Sequence, residues 1–206
     1  MSREGDVIDL RRWAPLSISQ TVELMTGLEV PWWIAGGWAI DLFLNRSTRD
    51  HADIDVLVRR TDQVSVSLHF SKLGWELWEV DRPGHLRPLK LDETVRSTVH
   101  DVWCRPDRRS MWALQLMLAE SDGDQWIYRR DSEVTLPLSE VGFHTADGVP
   151  YLAPQIELLF KSKSPRPQDE ADFNLTAPEL PTTARRWLAS AIRRTDPTHP
   201  WLSRLR

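Results

Sequence analysis

The chain contains 206 residues, of which 41% are hydrophobic and 27% are charged, and its formal net charge is −4. This composition predicts one compact globular unit, or a core domain with a helical appendage, and the charge excludes an overall basic nucleic-acid-binding protein. Cys104 is the single cysteine, which excludes an intramolecular disulfide and a cysteine-based zinc site and indicates a reducing compartment. The N-terminal residues carry no apolar signal-peptide core, and no segment approaches the ~20 apolar residues of a membrane span, so we expect a cytoplasmic protein.

The first predicted elements are a helix, a strand and a second helix. Residues 17–28 have helical apolar spacing, and Ser17 is placed to cap that helix. The short apolar run at residues 32–35 predicts a buried strand, and helical spacing returns at residues 38–44. Two glycines at residues 36–37 permit a turn between them that side chains would hinder. A helix that starts at this turn offers unpaired N–H groups and a positive dipole end, which suit a polyphosphate.

Two aspartates characterise the next predicted strand, which covers residues 52–58. Asp53 and Asp55 are separated by one residue, so the two-residue period of a strand places both carboxylates on one face. The other face carries three apolar side chains, those of Ile54, Val56 and Val58. Neighbouring carboxylates repel each other, and a bound divalent cation such as Mg²⁺ is a common reason for such a pair. The alternative is an exposed strand face with two solvated acids.

These segments resemble a known family. GGWAID at residues 36–41 and LNRSTRDHADID at residues 44–55 resemble the nucleotidyltransferase signature of the DNA polymerase beta superfamily. More narrowly, they are similar to the aminoglycoside 2''-adenylyltransferases and lincosamide nucleotidyltransferases, and four further positions match that branch: Trp38, Asp41, Arg49 and His51. A weaker likeness continues at residues 151–173, which resemble the C-terminal helix of the family and the loop after it.

The resemblance implies the fold, the reaction and its cofactors. The fold would be α+β, with a small mixed β-sheet and flanking helices at residues 1–150 and a C-terminal helical region at residues 151–206. The protein would transfer a nucleoside monophosphate, AMP from ATP, to a hydroxyl of a small molecule and release pyrophosphate. The acceptor would be an aminoglycoside- or lincosamide-like antibiotic. Two Mg²⁺ ions, held by Asp53, Asp55 and Asp101, would bridge the nucleotide phosphates.

Asp101 is the candidate for the third carboxylate, because nucleotidyltransferases of this kind take it from a strand that neighbours the one with the aspartate pair. It lies in a β-branched run at residues 97–104 and would act as general base on the acceptor hydroxyl. Glu79 and Asp81, on the preceding predicted strand, are its rivals. The alternative for Asp101 is a strand-end acid that pairs with a nearby arginine.

Nucleotide contacts are implied for five residues. Backbone groups of Gly36, Gly37 and Trp38 would contact the phosphates, and Arg49 would supply a guanidinium that binds phosphate bidentately. An ion pair of Arg49 with a neighbouring aspartate is the alternative. Lys161 could reach the triphosphate, or it could belong to a surface pair that complements a helix dipole.

The remaining segments complete the predicted fold, and helices dominate after residue 153. A hairpin at residues 111–130 turns at residues 121–124 and could wall the acceptor pocket. Before it, the sequence predicts a helix at residues 61–73 that ends at Gly74, a strand at residues 75–80 and a loop entering a short strand at residues 81–89.

The acceptor stays open at this point. Five acids near the relevant strands favour a cationic acceptor, unless they are solvated loop residues: Glu79, Asp81, Asp92, Glu93 and Asp101. Residues 182–206 contain six arginines and one acid, which indicates a solvated basic face or, as a second function, a toxin that modifies tRNA. A third function is a catalytically silent nucleotide-binding module, favoured if Asp101 lies far from the aspartate pair. The preferred base and the oligomeric state also stay open.

Overall fold

A computed structural model describes residues 12–82 and 85–206, which form a mixed β-sheet with helices on both faces. The helices are α1 (Ile18–Met25), α2 (Gly36–Leu44), α3 (Gln63–Lys72), α4 (Pro154–Ser162), α5 (Pro167–Thr176) and α6 (Thr182–Thr195). The strands are β1 (Trp32–Ala35), β2 (Asp55–Arg59), β3 (Glu76–Arg82), β4 (His85–Pro88), β5 (Asp101–Arg105), β6 (Leu114–Asp122), β7 (Gln125–Ile127), β8 (Thr135–Pro137), β9 (Gly142–His144) and β10 (Pro150–Leu152). The predicted α+β class with a mixed sheet is confirmed.

The strands lie in the order β4-β3-β5-β6-β2-β1-β10-β9, and β7 and β8 continue from β6 as a short antiparallel extension. Parallel pairing joins β2 to β6 and β1 to β10, and the other pairs in the sheet are antiparallel. The strand that carries Asp55 therefore lies near the centre, with β1 and the glycine turn on one side and β6 on the other.

The sheet separates two apolar clusters, and the alternation along β2 shows how the sequence produces them. Ile54, Val56 and Val58 are fully buried in one cluster, together with residues of α1 and α3. Leu57 points to the opposite face and packs with residues of α2, α4, α5 and α6. The predicted apolar face of this segment is confirmed, because the two-residue period of the strand sorts its side chains between the clusters.

Two local predictions are confirmed by their hydrogen bonds. Ser17 caps α1, since its hydroxyl accepts from the backbone N–H of Gln20 while the Gln20 side chain accepts from the Ser17 N–H. Strands β6 and β7 form the predicted hairpin, with Asp122 paired to Gln125 across the turn.

The strand predicted at residues 52–58 was wrong at its start, because β2 begins at Asp55. Its first residue pairs with Ala35, the last residue of β1, after which the chain turns into α2. Residues before 55 consequently have no partner on β1, and Asp53 lies in the loop that leads into β2. The carbonyl of Asp53 accepts a hydrogen bond from the Trp38 indole at 3.2 Å.

The predicted division after residue 150 stays a prediction. Its boundary lies inside β10, which pairs with both β1 and β9. The apolar cluster on the Leu57 face contains residues from both sides of that boundary.

Within the described part of the chain, none of the helices has the length and apolar character needed to cross a membrane.

Candidate active site

The glycine turn lies directly beside the aspartate strand. Gly36 begins α2 with a φ of 65°, a conformation that favours glycine, and a Cβ on it would collide with the carboxylate of Asp55. A Cβ on Gly37 would collide with the side chains of Arg49 and His51. The first N–H groups of a helix lack intrahelical partners, and that of Gly36 donates to the Glu157 carboxylate at 3.0 Å. Glycine is therefore needed at both positions, because the side chains of Asp55, Arg49 and His51 lie against the start of α2.

We expect Gly37→Ala to weaken nucleotide binding by roughly 10²-fold, because displacing the Arg49 side chain misplaces a phosphate contact. Binding of a fluorescent ATP analogue in the presence of Mg²⁺ measures this effect. Gly123→Ala is the control, since Gly123 has a φ of 52° at the β6–β7 turn and nothing within 4 Å of its added Cβ. Equal affinity of the two variants would contradict the role of the turn.

Carboxylates converge on Asp55. Burial raises its pKa well above the ordinary value of 3.8, and the negative charges of Asp53, Glu157 and Asp101 raise that pKa further. The positive charge of Lys161 lowers the pKa of Asp55, but by less than burial and the other acids raise it. A largely buried acid surrounded by other acids is costly to ionise, so this arrangement is suited to a bound cation.

Asp101 lies on the same face of the sheet as Asp55. The prediction that its strand neighbours the strand of Asp55 was wrong. Strand β6 lies between β5 and β2. In β6, Gln115 pairs with Asp55 and Met117 pairs with Asp101, and residues two apart share a face. The Gln115 amide donates to Asp101 at 3.5 Å, so Asp101 contacts the residue that pairs with Asp55.

Lys161 joins three carboxylates rather than lying on the surface. Its side chain is 8% exposed, and its ammonium lies 3.6 Å from Glu157, 3.2 Å from Asp169 and 3.1 Å from Asp172. The predicted alternative of a surface pair is therefore wrong for Lys161. Burial lowers the pKa of this lysine, yet the three carboxylates outweigh burial and hold that pKa above its ordinary value.

Asp169 also caps α5, and this arrangement has a consequence for stability at low pH. Burial alone would raise the pKa of Asp169, but hydrogen bonds from the side chain and backbone of Arg166, together with Lys161, lower it to about 2. Its stabilising contribution is fully present above its ordinary pKa of 3.8 and is lost as the pH falls through about 2.

We expect Asp169→Asn to remove that pH-dependent part of the stability, while its side-chain oxygen still accepts the capping hydrogen bond. The measurement is the free energy of unfolding in urea, taken for wild type and variant between about pH 5 and pH 2. The difference between the two proteins should shrink toward low pH, and a difference independent of pH would contradict the assignment.

Arg49 is held above Gly37 by a chain of polar contacts. Its guanidinium lies 3.4 Å from the Asp172 carboxylate, 3.1 Å from the Asp50 carbonyl and 3.1 Å from Nδ1 of His51. Because a guanidinium only donates, Nδ1 of His51 must accept, and its Nε2–H then donates to Asp41 at 2.8 Å. The predicted alternative, an ion pair of Arg49 with an adjacent aspartate, was wrong, since the carboxylate belongs to Asp172 on α5.

A cleft of about 560 Å³ brings most of the predicted residues together. Among the described residues, its walls include six predicted positions: Gly36, Gly37, Arg49, Asp53, Asp55 and Lys161. Glu157 lines it as well, whereas Asp101 lies in an adjoining pocket that shares Met117 and Phe160 with the cleft. Trp38 lies behind the wall, where its ring packs on His51 at 4.3 Å.

The donor atoms of this cleft fit a magnesium ion. Asp53 and Asp55 offer hard carboxylate oxygens next to a wall where negative charge is in excess. In the described ranges, no three histidine, cysteine or carboxylate side chains already stand close enough together to form a complete metal site. Further ligands would then come from water and substrate phosphates, which is usual for Mg²⁺.

Four acids expected near the acceptor are engaged elsewhere or lie apart from it. Glu79 is fully buried and pairs with Arg87 at 2.8 Å and Arg96 at 3.0 Å. Asp81 pairs with Arg96 at 3.0 Å, and Glu93 pairs with Arg87 at 2.6 Å. Asp92 is exposed in the segment after β4. Three of these four acids are therefore neutralised by Arg87 and Arg96, and their number in the sequence does not indicate a cationic acceptor.

Sequence reasoning missed Glu157 as part of the site and missed the pairing of Asp172 with Arg49. The spacing of Glu157 and Lys161 on one helix face was an available signal, since residues i and i+4 are neighbours. The pairing of Asp172 with Arg49 joins residues 123 positions apart, and no local pattern indicates it. Arg129, which lines the pocket next to Asp101, was also missed.

The comparison that decides the family comes from sequence. The sequence model described as aminoglycoside-2''-adenylyltransferase matches residues 17–174. The chain belongs to this family. Its match includes the glycine turn, the aspartate strand, β5 and the helices α4 and most of α5, so the predicted resemblance is confirmed and the chain is a nucleotidyltransferase.

This adenylyltransferase-family chain is also similar to a lincosamide resistance protein of Staphylococcus haemolyticus, with 21% identity over 141 residues, 68% of the chain and 80% of the relative. The crystal structure of ANT(2'')-Ia in complex with adenylyl-2''-tobramycin has 17% identity and a TM-score of 0.55, over 86% of this chain and 96% of that one. Lincomycin-bound LnuA has 16% identity and a TM-score of 0.52, over 77% and 92%. At these identities the two structures show a shared fold.

Proposed function

We propose that this enzyme transfers AMP from ATP to a hydroxyl of a small molecule, in a reaction that requires Mg²⁺ and releases pyrophosphate. The observation that carries the proposal is the position of Asp55, a largely buried carboxylate surrounded by other acids and placed against the glycine turn. A phosphate-binding helix start and a cation-binding acid cluster lie together in one cleft.

Asp53 and Asp55 would hold Mg²⁺, which, when bound, reduces the cost of negative charge on the reacting phosphates. The N–H groups of the first turn of α2, at Gly37 and Trp38, face the phosphates in this proposal. The guanidinium of Arg49 binds them from above Gly37. Lys161 contributes positive charge at the cleft wall, and its ammonium also offsets the negative charge of Glu157.

Asp101 is proposed as the general base. Burial raises its pKa above the ordinary value of 3.8, which brings the carboxylate closer in strength to what a general base needs near neutral pH. The acceptor O–H gives its proton to Asp101, and its oxygen forms a bond to the α-phosphorus. The bond between that phosphorus and the oxygen of pyrophosphate breaks, so atoms and charge balance.

The structures with bound antibiotics supply the first acceptor candidates. ANT(2'')-Ia is complexed with adenylyl-2''-tobramycin and LnuA with lincomycin, both small hydroxylated molecules.

The alternative function, modification of tRNA, is less well supported by the structure than by the sequence, because part of the basic C-terminal segment is engaged within the chain. Arg194 pairs with Asp131 at 2.9 Å, Arg204 pairs with Glu170 at 3.2 Å, and Arg185 donates to two backbone carbonyls. Half of the C-terminal arginines are thus engaged within the chain.

The silent-module alternative is also weakened, because Asp101 lies on the same face of the sheet as Asp55, with only β6 between their strands. The deciding experiment incubates the protein with α-labelled ATP and Mg²⁺, and separately adds tobramycin, lincomycin, other hydroxylated small molecules and bulk tRNA. We expect label on a small molecule and equimolar pyrophosphate. Label on tRNA alone would overturn the small-molecule acceptor, and label on none with no pyrophosphate would overturn the proposed reaction.

A further inference from the structure

His51 lies behind the wall of the cleft, next to the guanidinium of Arg49. Its side chain is only 2% exposed, whereas Arg49 lines the cleft. A Cβ on Gly37 would collide with both side chains, so the imidazole and the guanidinium lie together against the start of α2. The Trp38 indole packs on the imidazole at 4.3 Å and restricts the plane of the ring. His51 is thus too buried to bind a substrate, but it contacts a group that is placed to do so.

Asp41 determines which ring nitrogen of His51 carries the hydrogen. Its carboxylate is 5% exposed, and one oxygen accepts from His51 Nε2–H at 2.8 Å. The other oxygen accepts from the backbone N–H of Thr48 at 3.2 Å and from its hydroxyl at 2.5 Å. Because a carboxylate only accepts, the hydrogen is on Nε2, and Nδ1 keeps its lone pair. That lone pair accepts from the Arg49 guanidinium at 3.1 Å.

The hydrogen bond to His51 holds one end of the Arg49 guanidinium. Nη1 donates to Nδ1 of His51 and to the Asp50 carbonyl, each at 3.1 Å. The contacts of Nε and Nη2 with Asp172 are longer, both 3.4 Å. Because the guanidinium is planar and rigid, the held Nη1 end fixes the direction of the other donors. The Nε–Nη2 edge, with its longer contacts, is then the part that is available to a phosphate.

We propose that His51 is a positioning residue for adenylyl transfer: held by Asp41 as the Nε2–H tautomer, it accepts a hydrogen bond from Arg49 and directs that guanidinium toward the nucleotide phosphates. This inference rests on the proposed function, which places the phosphates at Arg49. The alternative is a purely structural role, in which the bond between His51 and Asp41 ties the loop before β2 to α2 and the contact with Arg49 has no consequence for binding.

Two substitutions each keep one half of the imidazole. His51→Asn places a carbonyl oxygen near the position of Nδ1, where it accepts from Arg49, but its side chain is too short to reach Asp41. His51→Gln reaches the position of Nε2 and donates to Asp41, but it offers no acceptor at Nδ1. We expect His51→Gln to bind nucleotide roughly 10-fold more weakly than His51→Asn, as for the loss of one hydrogen bond to a charged group. The melting temperatures should rank the other way, because His51→Asn removes a partner from a buried carboxylate. A purely structural role predicts the same order in both measurements.

Asp41→Asn tests the tautomer itself. The backbone N–H of Thr48 holds the amide oxygen of the new side chain, so the amide NH₂ faces Nε2 of His51 and drives the ring hydrogen to Nδ1. Nδ1–H and the Arg49 guanidinium are then two donors that face each other, and the affinity should fall as in His51→Gln. Nitrogen-15 NMR of the histidine rings, at about pH 8 where an ordinary histidine is neutral, should show Nε2–H in the wild type and Nδ1–H in Asp41→Asn. The signal of His51 is the one that is missing from His51→Asn.

Affinity is measured by calorimetry with Mg²⁺ and an ATP analogue that has a methylene bridge between its α- and β-phosphorus atoms. His69→Asn is the matched control, because His69 is a partly buried histidine on α3 that donates to the Leu24 carbonyl at 2.7 Å, and it should bind the analogue as the wild type does. The inference would be overturned by an Nδ1–H tautomer in the wild type, by an unchanged tautomer in Asp41→Asn, or by analogue binding in His51→Gln as tight as in His51→Asn. Failure of the wild type to bind the analogue would instead overturn the proposed function, and the tautomer read by NMR would be unaffected.

Discussion

Asp55→Asn is expected to reduce nucleotidyl transfer by at least about 10²-fold, the scale seen when one charge-stabilising group of an active site is removed. The substitution takes away a carboxylate oxygen that would hold Mg²⁺ and leaves the shape of β2 unchanged. Because burial and neighbouring acids raise the pKa of Asp55, its ionised form destabilises the fold. The melting temperature of the variant should therefore stay the same or rise while turnover falls.

The assay measures pyrophosphate release against Mg²⁺ concentration for the wild type, Asp55→Asn and Asp53→Asn. Asp147→Asn serves as a control, since Asp147 is an exposed acid in the loop between β9 and β10. The control should behave as the wild type. Full turnover in either site variant, with an unchanged dependence on Mg²⁺, would remove the metal assignment.

Asp101→Asn is expected to lower kcat by about 10²- to 10⁴-fold with little change in ATP affinity, because a general base acts mainly as the hydroxyl loses its proton. The charge of Asp101 also adds to the repulsion at Asp55, so nucleotide binding should not weaken when that charge is removed. Single-turnover kinetics with α-labelled ATP separate the two quantities.

Glu79→Gln is the comparison that discriminates between the two candidate acids. Glu79 is buried and pairs with Arg87 and Arg96, so neutralising it should lower the melting temperature and leave kcat near the wild-type value. The opposite result, with turnover lost in Glu79→Gln and retained in Asp101→Asn, would place the base on β3 rather than β5.

Features set by neighbouring residues could be predicted from the sequence. The cap at Ser17 and the β6–β7 turn each depend on four consecutive residues, and the sorting of Ile54, Val56 and Leu57 depends on the period of one strand. Asp53 was misplaced because the end of β2 is fixed by its partner strand. Strand β1 ends at Ala35 as predicted, but only the pairing of the two strands shows that Asp55 lies opposite Ala35.

Features set by distant pairing could not be predicted. Lys161 gave two equally good interpretations until α5 placed Asp169 and Asp172 beside it. The acids on β3 and near β4 suggested a cationic acceptor, and their charge was already balanced by arginines that fold back against them. A sequence gives the number of charged residues, but only the fold shows which of them have an ion-pair partner.

The most direct test of the account is the affinity of the methylene-bridged ATP analogue for the wild type and Asp55→Asn, each with Mg²⁺ and with EDTA. We expect Mg²⁺ to strengthen analogue binding strongly in the wild type, since the acids around Asp55 otherwise repel the triphosphate. Most of this Mg²⁺ dependence should disappear in the variant. Binding by the wild type that is equally tight in EDTA, or an identical Mg²⁺ dependence in both proteins, would contradict a metal-assisted nucleotide site at the aspartate strand.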